Sequence, residues 1–268
     1  MQLTIYHVDA FAQQPFQGNA AAVCLLDDWL PDVLMQAIAS ELNLSETTFL
    51  VKRKPNEYRI RWFAPKQEIS LCGHATLAAA HVLYEHLDTE KKEITFQSLS
   101  GPLKAFPNDR FQTAHICLDF PEQKPSPIAM RESFVAAAGG QPLRALEQED
   151  LVLIYGDASE VEILEPDLTA IAQLPYRGLC VAAPGNGNGY DFVLRFFAPN
   201  IGIPEDPVTG SALTKLTPLF AEQFNKTQLK SKQLSKRGGE AFIELADGRV
   251  FISGQALTLM IGSMKLPL

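Results

Sequence analysis

The sequence lacks any apolar run approaching the roughly 20 residues that span a bilayer, so no membrane-spanning helix is expected. Its first residues, Met1-Gln2-Leu3-Thr4-Ile5-Tyr6-His7-Val8, have neither the basic start nor the long apolar stretch of a signal peptide and read as a strand. A cytoplasmic location is therefore expected. Basic charge is also in short supply. Only 23 lysines and arginines face 31 aspartates and glutamates, for a formal net charge of -8 and a pI of about 5.2. Such a surface repels phosphates and anionic lipid, which argues against nucleic acid or a membrane as a general partner. The one basic stretch runs from Lys226 to Arg237 among polar residues and reads as a solvated face.

Cysteine is scarce too. Cys24, Cys72, Cys117 and Cys180 form no C-x-x-C pair and show no zinc-ligand spacing, so a metal centre is not expected. Disulfides are not expected in a reducing compartment. Cys24, Cys117 and Cys180 lie in apolar, strand-like runs and read as small core residues.

What is present is the composition of a globular enzyme or binding domain: 46% hydrophobic and 20% charged residues over 268 positions. That length fits one large domain or two of ordinary size. Leu3 to Phe11 and Ala20 to Leu26 read as strands. Pro31 to Leu42 has helical spacing, with Val33, Leu34, Ala37, Ile38 and Leu42 on one side. Strands are expected at Thr48 to Lys52 and Tyr58 to Phe63, around a turn at Lys54-Pro55-Asn56. His74 to Glu85 is too apolar for a surface helix and reads as a buried central one. Strands resume at Ile94 and end near Ala114 to Phe120.

Pro121 to Pro127, with three prolines, is the linker candidate. It separates a first domain, 1–120, from a second, 128–255, with a final strand at about 256–268 that returns to the first. In the second domain Arg131 to Ala138 reads as helix and Leu151 to Tyr155 and Gly178 to Ala183 as strands. A turn is expected at Gly185 to Gly189, and Ser211 to Phe224 is helical but kinked or interrupted by Pro218.

The most informative feature is an internal echo. Arg61-Trp62-Phe63-Ala64-Pro65 returns as Arg195-Phe196-Phe197-Ala198-Pro199, and Glu68 precedes Gly73 by the same five residues as Glu205 precedes Gly210. An apolar, Ala-containing helix follows each glycine. The repetition implies two related domains facing each other, with both glycine turns near the seam. Each turn would present backbone N–H groups at a positive helix end, an anion site built without side-chain charge. A glycine that merely allows a tight strand-to-helix turn is the plainer explanation for either turn alone.

Three ionisable residues stand out beside these turns. Glu46 lies in Leu44-Ser45-Glu46-Thr47-Thr48-Phe49-Leu50, where apolar neighbours would desolvate it and suit it to general-base work. His74 opens the first buried helix, placed to donate to a substrate or pass a proton, or simply to cap and pack. Asp206 either caps the second turn or orients His74.

Four ordered segments carry a resemblance. Phe16-Gln17-Gly18-Asn19, Ser45-Glu46-Thr47, Leu71-Cys72-Gly73-His74-Ala75-Thr76 and Glu205-Asp206-Pro207-Val208-Thr209-Gly210-Ser211-Ala212 together resemble the phenazine-biosynthesis PhzF-like family, nearly end to end. Gln233 to Gly239 and the glycine-spaced last strands add to the likeness. The resemblance implies an α+β, diaminopimelate epimerase-like fold, with two pseudo-symmetric domains, each a mixed sheet curled around a central helix. It also implies proton transfer without metal or organic cofactor. Glu46, His74 and Asp206 match the family's catalytic positions, and Asn19, Gly73, Gly210 and Ser211 its substrate-binding ones. A small carboxylate substrate and a homodimer are implied likewise.

Two departures shape the expected chemistry. Related epimerases carry a cysteine at each glycine turn, but here Cys72 is echoed by Thr209, so the thiol pair is broken. Leu213 stands after Ala212 where many relatives have histidine, which implies a different substrate. An isomerase acting through Glu46 is the leading expectation. An epimerase pairing Glu46 with His74 or Cys72, and a non-catalytic small-acid-binding protein, are the alternatives.

Overall fold

β-branched and aromatic residues set the first two strands, Gln2–Ala10 (β1) and Asn19–Leu26 (β2), which pair antiparallel with Tyr6 opposite Val23. The computed structural model describes residues 1–87, 92–108, 116–187 and 189–266. It divides into two units, one of Met1–Phe120 with Ile252–Leu268 and one of Pro121–Phe251.

In the first unit, the amphipathic helix Asp32–Leu42 (α1) begins after Pro31, whose missing N–H costs nothing there. It ends at Asn43, left-handed at φ 49°, which donates its N–H to the Ala39 carbonyl. Glu46–Lys54 (β3) runs parallel to β2, and Glu57–Phe63 (β4) returns antiparallel to it through Asn56. The short Glu68–Ile69 (β5) folds back on β4. Gly73–His86 (α2) is buried along most of its length, because an Ala-rich helix with no polar face must be enclosed. Ile94–Ser98 (β6) pairs parallel with β4, Gly101–Pro107 (β7) antiparallel with β6, and Ile116–Pro121 (β8) with β7. Ala114 and His115, the expected start of that last strand, lie outside the described residues. Met35, Ile38 and Ala39 of α1 pack on Leu3, Ala22, Phe49, Val51 and Phe63.

The second unit opens with Ser126–Ile128 (β9) and Glu132–Ala138 (α3), followed by Arg144–Glu147 (β10) and Leu151–Ile154 (β11). Two short helices, Ala158–Glu162 (α4) and Leu168–Ala172 (α5), start at Asp157 and Asp167, whose carboxylates accept backbone N–H groups of the first turn. Leu179–Pro184 (β12), Phe192–Ala198 (β13) and Ile203–Asp206 (β14) lead to the helix Gly210–Phe224 (α6). Gln228–Gln233 (β15), Gly239–Ala246 (β16) and Arg249–Gly254 (β17) follow. The last strand, Ala256–Lys265 (β18), belongs to the first unit, where it pairs antiparallel with β1. The expected turn at 185–189 is built on left-handed Asn186, Gly187 and Gly189, with Asn188 outside the described residues. Among the described residues, no helix is long and apolar enough to cross a membrane.

Strand pairing repeats between the units. β2 with β3 and β11 with β12 are parallel; β3 with β4 and β12 with β13 are antiparallel. β5 and β14 fold back on β4 and β13, which then pair parallel with the strands after the helix, β6 and β15. The echo is therefore structural. Arg61 holds Glu68 through Nε (2.7 Å) and Nη2 (2.6 Å), and Arg195 holds Glu205 through the same atoms at 2.8 and 3.2 Å. Each guanidinium also stacks on the phenylalanine two residues ahead, Phe63 at 5.1 Å and Phe197 at 5.0 Å.

Two expectations change. Pro218 does not interrupt α6, which runs unbroken from Gly210 to Phe224. A proline there orphans the Thr214 carbonyl four residues earlier. That oxygen instead accepts the backbone N–H of Gln123 at 3.1 Å, while the Thr214 hydroxyl donates to Gln123 Oε1 at 3.1 Å. The Pro-rich stretch 121–127 is accordingly no loose linker. Gln123 completes α6, Glu122 donates to the Gly248 carbonyl, and Pro127 sits in β9 opposite Leu146.

Candidate active site

Three separate elements of the first unit bring Asn19, Glu46 and His74 together. Asn19 and Glu46 are the first residues of the adjacent parallel strands β2 and β3, and His74 lies in the first turn of α2. The turn before Asn19 requires glycine. Gly18 has φ +66°, and a Cβ there would lie 2.1 Å from the Ala10 carbonyl oxygen. The buried Asp9 carboxylate accepts the Phe16 N–H at 2.8 Å and anchors the same turn.

His74 Nε2 lies 2.7 Å from Glu46 Oε2, with side-chain exposures of 5% and 6%. The contact is an ion pair when the ring carries its second proton. Asn19 Nδ2 lies 3.2 Å from His74 Nδ1 and Cys72 Sγ 3.5 Å from the same nitrogen. Burial opposes charge on the ring, whereas Cys72 and Glu46 favour it, and the balance lies well above the ordinary histidine value. Burial pushes the Cys72 thiol up to about 11. The thiol is thus neutral near pH 7, and Glu46 is the partner that keeps the proton on His74.

This arrangement suits a group that changes protonation. A neutral ring accepts at Nδ1 from the Asn19 amide N–H; a charged ring donates there, and a half-turn of the amide offers Oδ1 instead. As a metal set the triad fits poorly, although its donor atoms lie within 4.8 Å of one another. Tetrahedral ligands at about 2.0–2.2 Å from zinc stand roughly 3.3 Å or more apart. Nε2 and Oε2, 2.7 Å apart, contact each other instead.

In the second unit, Asp206, Gly210 and Ser211 form the echoed turn. Asp206 ends β14, and its Oδ2 accepts the Thr209 hydroxyl at 2.5 Å. That bond ties the carboxylate to the residue that precedes α6. Neither Cys72 before α2 nor Thr209 before α6 caps its helix with a side chain, so the first N–H groups of both helices lack that cap.

Sequence reasoning assigned no role to Gln233, although it belongs to a motif. Its buried carboxamide clamps the second turn, accepting from Thr209 N at 2.8 Å and donating to the Asp206 carbonyl at 2.6 Å. Its outward sign was a polar residue at the end of an alternating strand. Asp150, Arg177 and Lys215 were missed entirely. Asp150 closes a polar run, Glu147-Gln148-Glu149-Asp150, that reads as solvated, yet it is fully buried. Only the four-residue spacing of Ser211 and Lys215 on α6 pointed toward a shared face.

The geometry has counterparts in known proteins. The family model described as phenazine biosynthesis-like protein matches residues 8–262. An uncharacterized isomerase of Pseudomonas aeruginosa is 46% identical over 267 residues, covering 99% of this chain and all of the relative. The crystal structure of a phenazine biosynthesis protein of the PhzF family from Enterococcus faecalis superposes with a TM-score of 0.94 at 40% identity, covering 99% of this chain and 100% of that one. A predicted epimerase from Pseudomonas aeruginosa shares the fold, with a TM-score of 0.73 at 21% identity over 99% of both chains. Two repeated α+β units, the buried Glu46–His74 pair at the head of β3 and α2, and a match from residue 8 to 262 lead to one conclusion: the chain belongs to the phenazine biosynthesis-like protein family.

Proposed function

We propose that this protein is an isomerase that moves a proton within a small, carboxylated, cyclic metabolite, with Glu46 as the acid and base and no organic cofactor. The observation that carries the reading is the buried Glu46–His74 ion pair at 2.7 Å. A buried carboxylate needs a partner charge to remain ionised, and the His74 ring supplies it. The Glu46 carboxylate takes a carbon-bound proton and becomes a carboxylic acid. The electron pair it leaves behind spreads through the conjugated substrate, and the acid returns the proton to a second carbon. His74 loses its counter-charge during this interval, and Asn19 can follow the ring's protonation state. The uncapped N–H groups of α2 stabilise developing negative charge from a fixed position. The names of the relatives place the chain among isomerases.

One observation favours a second reading. Cys72 Sγ, 3.5 Å from His74 Nδ1, supplies a second ionisable group beside the pair, which an epimerase would require. Its pKa of about 11 weighs against that role, because a neutral thiol is a weak base. Turnover in D2O separates the two. A one-base shuttle carries substrate hydrogen from one carbon to another, so part of the label is retained in product. Two-base epimerisation instead places solvent deuterium at a single stereocentre and leaves the carbon skeleton's double bonds unmoved.

A further inference from the structure

The loop between β1 and β2 bends through two left-handed phenylalanines, Phe11 at φ 58° and Phe16 at φ 71°. A bulky side chain crowds its own backbone in that conformation, so both residues are strained. Every other described residue with positive φ is glycine, asparagine or aspartate, the types that tolerate it. Phe11 offsets its strain by packing. It is 2% exposed and lies against Gly254, where an added Cβ would come within 2.4 Å of the ring. Phe16 has no such compensation. It is 75% exposed, and of the large apolar residues exposed among those described it alone is aromatic.

The strained residue is nevertheless held in place. The buried Asp9 carboxylate accepts the Phe16 N–H at 2.8 Å, and Gln17 donates its N–H to the Gln14 carbonyl at 3.4 Å. Asp9 stands opposite Ala20 in the β1–β2 ladder, next to the pair of Ala10 and Asn19. Phe16 is thus tied to the end of the hairpin that carries Asn19, at most about 11 Å from it by chain length. Asn19 in turn lies 3.2 Å from the His74 ring, which faces Glu46 at 2.7 Å.

Asn19, Glu46, Cys72 and His74 can hold and move protons, but they offer little apolar surface to a ring. Small-molecule sites are ordinarily lined by apolar and aromatic side chains with a few polar groups among them. Proton transfer at carbon also benefits when water is kept out. An aromatic side chain held exposed in a strained conformation beside such a polar cluster supplies the missing surface.

We propose that Phe16 is a specificity-determining residue whose ring covers the cyclic part of the substrate and so favours ring-bearing acids over open-chain ones, an assignment that rests on reading the Glu46–His74 pair as the catalytic site. A residue kept only for the fold would gain nothing from an exposed ring on a strained backbone.

Benzoate and acetate present the same carboxylate with and without a ring. Their binding is read from the Asn19, Glu46 and His74 amide shifts in wild type, Phe16→Tyr and Phe16→Asn, together with the Phe16 ring protons in wild type. Thermal midpoints and light-scattering masses are taken on the same proteins. Asparagine accepts the left-handed backbone and keeps the N–H that Asp9 holds. In wild type, benzoate should shift the three amides and move the Phe16 ring protons upfield. Phe16→Tyr should bind as wild type does. Phe16→Asn should bind benzoate roughly three- to tenfold more weakly, the worth of one aromatic pair, with acetate affinity unchanged. Its thermal midpoint should rise by about 2–4 °C as the strain is released. Wild-type benzoate binding that persists unchanged in Phe16→Asn, or an equal loss for both acids, would overturn the role of Phe16 alone. A lower thermal midpoint or a smaller mass in Phe16→Asn would assign the ring to the fold or to a contact between copies, with the same consequence. Absence of any Asn19, Glu46 or His74 shift in wild type with both acids would overturn the reading of the pair as an acid-binding catalytic site, and this proposal with it.

Discussion

His74 Nε2 and Glu46 Oε2 meet at 2.7 Å, each side chain almost closed off from solvent. The pair couples stability to pH. In the unfolded chain His74 titrates at about 6.5, and in the folded protein its pKa lies well above that. The folded state thus holds a proton that the unfolded state has lost, and stability must fall as pH rises through that interval. The stabilisation is present in full below about pH 6.5 and is lost as pH climbs through the folded value. Denaturant midpoints measured from pH 6 to 9 should decline in wild type, and Glu46→Gln should flatten the decline. An equal slope in both proteins would mean that Glu46 does not hold the proton on His74.

Cys72 should behave as an inert thiol. With its pKa pushed up to about 11, thiolate absorbance near 240 nm should not grow in below about pH 10, and alkylation by iodoacetamide at pH 8 should be slow in the folded protein. Cys72→Ser should retain most turnover. Rapid alkylation at neutral pH, or loss of turnover in Cys72→Ser comparable to that in Glu46→Gln, would favour the two-base epimerase.

Gln123 completes the hydrogen bonding of a helix far from it in sequence. Its N–H fills the place that Pro218 cannot, at the carbonyl of the buried Thr214. Gln123→Pro removes that donor and should destabilise the protein by about 1–3 kcal/mol, the cost of an unsatisfied buried acceptor. Urea unfolding measures it. Pro218→Ala, which supplies a competing donor from within the helix, should recover part of the loss in the double variant. A change within about 0.5 kcal/mol for Gln123→Pro, the range of an ordinary surface substitution, would show that water satisfies the carbonyl instead.

Local patterning made much of this fold legible. Helical spacing marked α1, the Ala-rich run marked α2 as enclosed, and Arg61-Trp62-Phe63 repeated as Arg195-Phe196-Phe197 disclosed paired units whose strand pairing also repeats. Glu46 and His74 were legible one by one, because a carboxylate among apolar residues and a histidine at a helix start each carry a local signal. Their contact was not legible, since it depends on β2, β3 and α2 converging across 28 residues of sequence. Pro218 misled for the same reason: its compensating donor comes from position 123. The Asp150–Arg177–Lys215 network was hidden most deeply. Charged residues in polar runs ordinarily face solvent, and only tertiary pairing buries one.

The central claim is proton transfer by Glu46. Its most direct test is NMR in D2O of wild type and Glu46→Gln, each incubated with a panel of small carboxylic acids that includes dihydro-hydroxyanthranilate. The amide keeps the shape of the carboxylate and cannot act as a base at neutral pH. Wild type should exchange or isomerise at least one panel member, and Glu46→Gln should lose that activity by roughly 10²- to 10⁴-fold, the usual contribution of a general base. Turnover of the same compound by Glu46→Gln at a rate close to wild type would contradict the assignment.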